Sequence, residues 1–321
     1  MASALFQPHV RCEAFRPGRP SSRDDGFTWL GLRRRLMYVH LEKRGLFVDN
    51  FKDKVVVITG GATGIGFSFA KRFGAAGAKV IIAGRRREKL DASVAALQEL
   101  GYEAAGFVCD VADRSQVEAL ADFAEEKFGG ADVIMNNAGI LIPPSTVIDA
   151  DPKLVRQVLD VNYMGVWNGA SVFGKRFIDR GTPAAIYNIG SENAFFNIVP
   201  GMFAYESAKH GLHSMTDALR EETPDFIDVS FICPGFVQSE MTEMAGDLPM
   251  DVEEYTSIAW PQILNGEYYV VSHPYNVVWI MHRYVELLGA DATDAPRFED
   301  EWRYDRRTMM RRAAEAAAVG Q

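Results

Sequence analysis

The sequence predicts an α/β protein built on a doubly wound, seven-stranded parallel sheet with helices on both faces. Three observations carry this expectation. Seven short apolar runs recur from residue 51 onward, they lack the polar alternation of a half-exposed strand, and the stretches between them are long enough for crossover helices. A strand covered by helices on both sides has no solvent face, so its sequence becomes a continuous apolar run. Right-handed crossovers then restrict how such strands can be joined.

In chain order the predicted strands are VVVIT (55–59), VIIAG (80–84), AAGFVCDV (104–111), DVIMNNAG (132–139), AAIYNIG (184–190), DVSFICPG (228–235) and EYYVVS (267–272). FSFAKRFGAAGA (67–78) exemplifies the helices: Phe69, Ala70 and Phe73 share an apolar face, Lys71 and Arg72 point elsewhere, and Gly77 ends the run. Residues 1–50 differ in character, with nine Arg or Lys against five acids and prolines around RPGRPSS, and are expected to be an extension outside the domain. The domain itself is expected over 51–290, with a covering segment at about 241–275 and a charged, alanine-containing tail over 291–321.

Composition narrows the function classes. With 321 residues, 48% of them apolar, the chain can bury a substantial core. The net charge of -9 is not gathered into a basic stripe, which argues against nucleic acid or an anionic membrane as a partner. No apolar run approaches the ~20 residues needed to span a bilayer. Cys12, Cys109 and Cys233 are odd in number and scattered, and the histidines lack ligand spacing, His210 and His213 coming closest; a cytoplasmic protein without a metal site is the expectation.

Chemistry concentrates in three places. TGGATGIG (59–66) follows the first strand and opens a helix, so that Gly60 allows a tight exit, Gly64 lets backbone amides approach a pyrophosphate, and Gly66 permits close packing. A glycine-rich turn that binds nothing has the same letters; the strand before and helix after favour a dinucleotide cradle, with Thr63 and Ile65 among its contacts. NNAG (136–139) closes the fourth strand. FAYESAKHG (203–211) places Tyr205 and Lys209 one helical turn apart, with Ala204, Ser207 and Ala208 expected to leave clearance around them.

Together, in this order, T-G-x-x-x-G-x-G, N-N-A-G and Tyr-x-x-x-Lys resemble the short-chain dehydrogenase/reductase family, over about residues 51 to 275. The resemblance implies a Rossmann sheet of order 3-2-1-4-5-6-7 and a homodimer or homotetramer. It implies a catalytic set of Asn162 (in LDVNYMG), Ser191 (in YNIGSENA), Tyr205 and Lys209, in which Tyr205 moves the proton, Lys209 orients the ribose and lowers the tyrosine pKa, Ser191 binds the substrate oxygen and Asn162 supports a water relay. Ser191 precedes Tyr205 by one residue more than is usual in the family, which implies a longer intervening loop. Glu192 and Asn193 beside it are candidate substrate contacts, with a solvent-facing role as the alternative.

Further cofactor contacts follow from the same resemblance: Asp110 and Val111, Asn137, Ala138 and Gly139, and Pro234, Gly235, Val237 and Ser239 of PGFVQSEM (234–241), where Ser239 replaces the customary threonine. Asp110 could equally cap the next helix. The second strand ends AGRRR (83–87), where an NAD-preferring chain usually carries an acid; Arg85 or Arg86 can pair with a 2′-phosphate, favouring NADP(H), with NAD(H) the alternative. The expected activity is hydride transfer between a nicotinamide and a secondary alcohol or ketone. Tyr255, Trp260, Tyr268, Tyr269, Tyr275 and Trp279 suggest an aromatic cover suited to a bulky apolar or aromatic substrate, or else plain core and interface packing. A noncatalytic dinucleotide-binding sensor is the competing class.

Overall fold

The structure is a computed structural model describing residues 51–197 and 200–289, together with Met309, Arg312 and Ala316. The extension over 1–50 and almost all of the tail over 291–321 lie outside the described residues.

All seven strands form: β1 (Val55–Thr59), β2 (Lys79–Gly84), β3 (Ala104–Val108), β4 (Val133–Asn136), β5 (Ala184–Ile189), β6 (Ile227–Cys233) and β7 (Tyr269–Val271). They make one sheet in the order β3-β2-β1-β4-β5-β6-β7 with every pair parallel. The helices are α1 (Gly64–Ala75), α2 (Arg87–Glu99), α3 (Arg114–Phe128), α4 (Pro152–Leu159), α5 (Gly165–Arg180), α6 (Phe203–Glu222), α7 (Val252–Leu264) and α8 (Val277–Gly289). Among the described residues none is long and apolar enough to cross a membrane.

Apolar strand runs arise because alternate residues serve two cores. Val56 and Ile58 of β1 join Val80 and Ile82 of β2 against Phe69 and Phe73 of α1 and Leu90 and Leu97 of α2. Val55 and Val57 face the other way, with Ile81, Val117 and Leu120 of α3, and Phe173 and Phe177 of α5. Phe69, Ala70 and Phe73 are fully buried as their spacing predicts, and each phenylalanine contributes about 1.5–3 kcal/mol by leaving water. Lys71 and Arg72 reach instead to α7, on Glu253 and Thr256.

The aromatic cover expected over 241–275 divides. Tyr255 is 1% exposed and packs edge-on to Phe69, while Trp260 packs against Phe51 and Phe73, so α7 completes the core on α1. Tyr268 donates to Asp217, and Tyr269 pairs with His213, both on α6. Trp279 is exposed on α8, and the side chain of Tyr275 lies outside the described residues. Packing, the alternative reading, accounts for the buried pair.

The chain departs from β1 toward β2 and β3, then from β4 toward β7, so the order reverses between β1 and β4. Loops at the carboxyl ends of these two strands diverge to opposite sides and leave a crevice. The cradle and NNAG meet there.

Candidate active site

Gly60 and Gly64 have φ of +64° and +52°, values that L side chains rarely adopt. A Cβ on Gly66 would stand 2.5 Å from both the carbonyl oxygen of Gly60 and Nδ2 of Asn137. The third glycine therefore serves a close approach between α1, the turn and the β4 loop. Asn137 itself is a clasp: its Nδ2 donates to the carbonyls of Thr59 and Gly60 at 2.9 and 3.0 Å. Thr59 Oγ1 in return accepts from the backbone amides of Asn137 and Ala138 at 3.0 and 3.1 Å.

α1 begins at this turn after Thr63, whose side chain makes no capping bond, and no acid lies in its first turn. Its leading amides and positive dipole end therefore face the crevice without a side-chain acceptor. On the opposite side, Ser239 Cβ lies 3.4 Å from where a Gly64 Cβ would stand, so the loop after β6 borders the cradle. Positive-φ glycines, an uncapped helix start and a bordering loop fit a dinucleotide's pyrophosphate.

The arginines part company. Arg85 Nη1 is 3.9 Å from Asp110 Oδ2, whereas Arg86 pairs with Glu240 on the bordering loop at 2.5 Å. Lys89 binds the same carboxylate. Asp110 is not a helix cap: Asp113 caps α3 through Ser115 N, while Asp110 Oδ1 accepts from Ala112 N at 3.1 Å in a local turn. Val111 is buried, and its carbonyl accepts from Asn168 at 2.9 Å.

The reacting groups gather at the carboxyl end of β5. Ser191 follows the strand, is 7% exposed, and its Oγ accepts from Asn193 N at 3.1 Å. Tyr205, in the first turn of α6, lies near enough to Ser191 for that side chain to act on its ionisation, so the longer spacing still brings the two together. Lys209 is one turn further, 4% exposed, with Nζ donating to Ile189 O at 2.8 Å and lying 5.6 Å from the Tyr205 ring centroid. Ala204 and Ala208 pack against Val158 of α4. Their small size serves this helix contact, Ala204 also lines a recess beside Tyr205, and Ser207 is exposed.

Asn162 is fully buried in a single π turn, Asp160–Met164, between α4 and α5. Its carboxamide brackets one peptide unit, accepting from Ile140 N at 2.8 Å and donating to Ile140 O at 2.9 Å. Gly139 lies beside it. The asparagine thus shapes the β4 loop, and the π turn locally replaces the i to i+4 ladder, a device frequent at functional sites.

Protonation follows burial. Tyr205 is pushed above its usual 10, first by desolvation and further by the Glu192 charge, against a lowering effect of the Ser191 side chain. In the protein alone the phenol is therefore favoured over the phenolate. Desolvation brings Lys209 down to about 8. Burial likewise raises Glu192, which accepts from Asn276 Nδ2.

Of the proposed substrate contacts, Asn193 turns its carboxamide to Glu206, 3.4 Å away, which also accepts from Asn197 at 2.8 Å. Pro234 O accepts from Glu192 N at 3.0 Å, Gly235 abuts the His273 ring, and Val237 is buried. Sequence reasoning missed Thr59, Glu206, Glu240 and Asn276. Glu240 adjoins the recognised Ser239, but its partner lies 154 residues away, and no local signal announces that pairing.

Comparisons with known proteins agree with this geometry. The family model described as short chain dehydrogenase matches residues 54–248. The chain is 29% identical over 269 residues to the 1-deoxy-11-beta-hydroxypentalenate dehydrogenase of Streptomyces arenae, covering 78% of this chain and 88% of that protein. It is 31% identical to the sorbose reductase sou1 of Schizosaccharomyces pombe, covering 68% and 88%. A short-chain dehydrogenase/reductase from Burkholderia phymatum, crystallised in complex with NAD, superposes with a TM-score of 0.70 at 25% identity, covering 78% of this chain and 99% of that one.

Proposed function

The chain belongs to the short-chain dehydrogenase family, and from that premise we propose that this oxidoreductase transfers hydride between a nicotinamide dinucleotide and a secondary alcohol or ketone. The observation that carries the reading is the convergence of Ser191, Tyr205 and buried Lys209 at the carboxyl edge of β5, next to the cradle, with Lys209 Nζ on Ile189 O and 5.6 Å from the Tyr205 ring centroid. When bound, the nicotinamide supplies a hydride donor or acceptor at its C4.

The cradle glycines Gly60, Gly64 and Gly66, with Thr63 and Ile65, would hold the pyrophosphate at the start of α1. Asp110 and Val111 would border the adenine, and Ala138, Gly139, Pro234, Gly235, Val237 and Ser239 the remainder. Arg85 or Arg86 at the end of β2, where an NAD-preferring chain usually carries an acid, supports a preference for NADP(H) over NAD(H). Tyr205 Oη holds the proton that a developing alkoxide takes, or receives it when an alcohol is oxidised. Ser191 Oγ, at the end of β5 near Tyr205, can bind the same substrate oxygen. Lys209 positions itself through Ile189 O and brings cationic charge to Tyr205 at neutral pH.

Near Tyr205 a small recess is lined by Leu141, Ile142, Met202 and Phe203, which supports an apolar group on the substrate. The names of the two relatives, a dehydrogenase of a hydroxylated acid and a reductase of a sugar, support chemistry at a carbinol or carbonyl carbon. Two buried free cysteines, Cys109 and Cys233, support a cytoplasmic location, and the apolar side chains exposed on α8 support a homodimer or homotetramer.

The test is an alcohol and ketone panel followed by NADPH and NADH absorbance in both directions, repeated with Tyr205→Phe. Turnover should fall by about 10²–10⁴-fold while dinucleotide binding persists. Near-normal turnover in the variant would sink the proton-transfer assignment. Binding without turnover by the unaltered protein on every substrate would favour a dinucleotide sensor instead.

A further inference from the structure

Glu240 takes part in none of the chemistry above, yet it is the most heavily paired carboxylate at the rim of the crevice. It lies on the loop after β6, next to Ser239. Its carboxylate accepts from Arg86 Nη2 at 2.5 Å and Nη1 at 3.3 Å, and from Lys89 Nζ. Arg86 and Lys89, three residues apart at the start of α2, thus present both cations to one side, while Arg85 turns to Asp110. Around the carboxylate the loop is internally braced. Thr242 Oγ1 accepts from Ser239 N at 2.8 Å and donates to Val237 O at 2.9 Å, and Ser239 borders Gly64 of the cradle. A cavity of about 470 Å³ opens here, lined by Lys89, Gln238, Ser239, Glu240, Thr242 and Glu243.

Resting on the dinucleotide reading above, we propose that Glu240 is a specificity-determining residue, an internal anion that competes with the 2′-phosphate of NADP(H) for Arg86 and Lys89. A dinucleotide with a ribose 2′-hydroxyl leaves the carboxylate bridge in place, and the bridge keeps the loop tied to α2. A 2′-phosphate carries more charge and three acceptor oxygens, so it can replace the carboxylate on both cations, and it then releases the loop from α2. The exchange is feasible because all three side chains are roughly half exposed, and exposed ion pairs are individually weak. The two cations hold the Glu240 carboxyl below the usual range, which keeps it ionised and competing at neutral pH.

The experiment measures dissociation constants for NADPH and NADH by fluorescence titration at fixed ionic strength, using the full chain, Glu240→Gln, and Glu240→Gln combined with Arg86→Ala. Glu240→Gln should tighten NADPH about threefold to tenfold and leave NADH within about twofold, and adding Arg86→Ala should erase the gain. Equal effects on both nucleotides, no change in their ratio, or weaker NADPH binding would overturn the assignment of Glu240 while leaving dinucleotide binding intact. Failure of the unaltered protein to bind either nucleotide would overturn the dinucleotide reading and this inference together.

Discussion

Replacing Lys209 by methionine separates what the buried ammonium costs the fold from what it gives the site. The group is 4% exposed, and burial lowers its pKa from 10.5 to about 8. Folding therefore penalises the protonated form. Below about pH 8 both the folded and unfolded chains carry the proton and the full penalty applies. Between about 8 and 10.5 the folded chain gives the proton up while the unfolded chain keeps it, so the penalty fades and stability rises with pH. The gap, at about 1.4 kcal/mol per pH unit, amounts to about 3 kcal/mol.

Lys209→Met removes that penalty and also the bond to Ile189 O, which leaves a buried carbonyl at a cost of about 1–3 kcal/mol. The lost bond is mainly a constant offset, whereas the penalty depends on pH. Urea unfolding at fixed protein concentration, at pH 7 and pH 10, should show the variant's stability relative to the parent falling by about 2–3 kcal/mol as pH rises. Turnover should be lost at both pH values. A stability difference that stays the same at pH 7 and pH 10 would refute the buried-ammonium argument.

Two further changes probe the site from other sides. Glu192→Gln removes a charge that raises the Tyr205 pKa, so the ascending limb of the alcohol-oxidation pH profile, where Tyr205 gives up its proton, should move to lower pH; an unmoved limb would show that Glu192 does not act on Tyr205. Gly66→Ala sets a methyl 2.5 Å from the Gly60 carbonyl and the Asn137 amide, opening the clasp at a cost of about 1–3 kcal/mol, with a lower melting temperature and weaker dinucleotide binding. An unchanged melting temperature and dissociation constant would remove the clasp from the account.

Much of the fold was legible because burial on both faces leaves a direct imprint on each strand. VVVIT predicts 55–59, and β1 is Val55–Thr59. The third run predicts 104–111, but β3 ends at Val108, since Asp110 turns the chain away through Ala112 N. The Tyr205–Lys209 pair was legible for a similar reason: four residues make one helical turn, so proximity follows from spacing alone.

What composition and spacing could not decide is which distant partner each side chain meets. Asn137 is drawn to Thr59 and Gly60 across 78 and 77 residues, and Arg86 to Glu240 across 154. Tyr255 and Trp260 looked like a cover for the site, yet α7 docks on α1, burying Tyr255 in the core and packing the partly buried Trp260 against it. Ala204 and Ala208 pack against Val158 of α4. By itself the sequence determined the strands, the cradle and the pairing of phenol with ammonium, because these depend on local periodicity and backbone conformation. Tertiary structure alone decided that burial brings Lys209 down to about 8, that desolvation and Glu192 raise Tyr205 in the protein alone, and that Glu240 bridges Arg86 and Lys89. Desolvation and long-range charge depend on what the whole chain packs around a group, not on its neighbours in sequence.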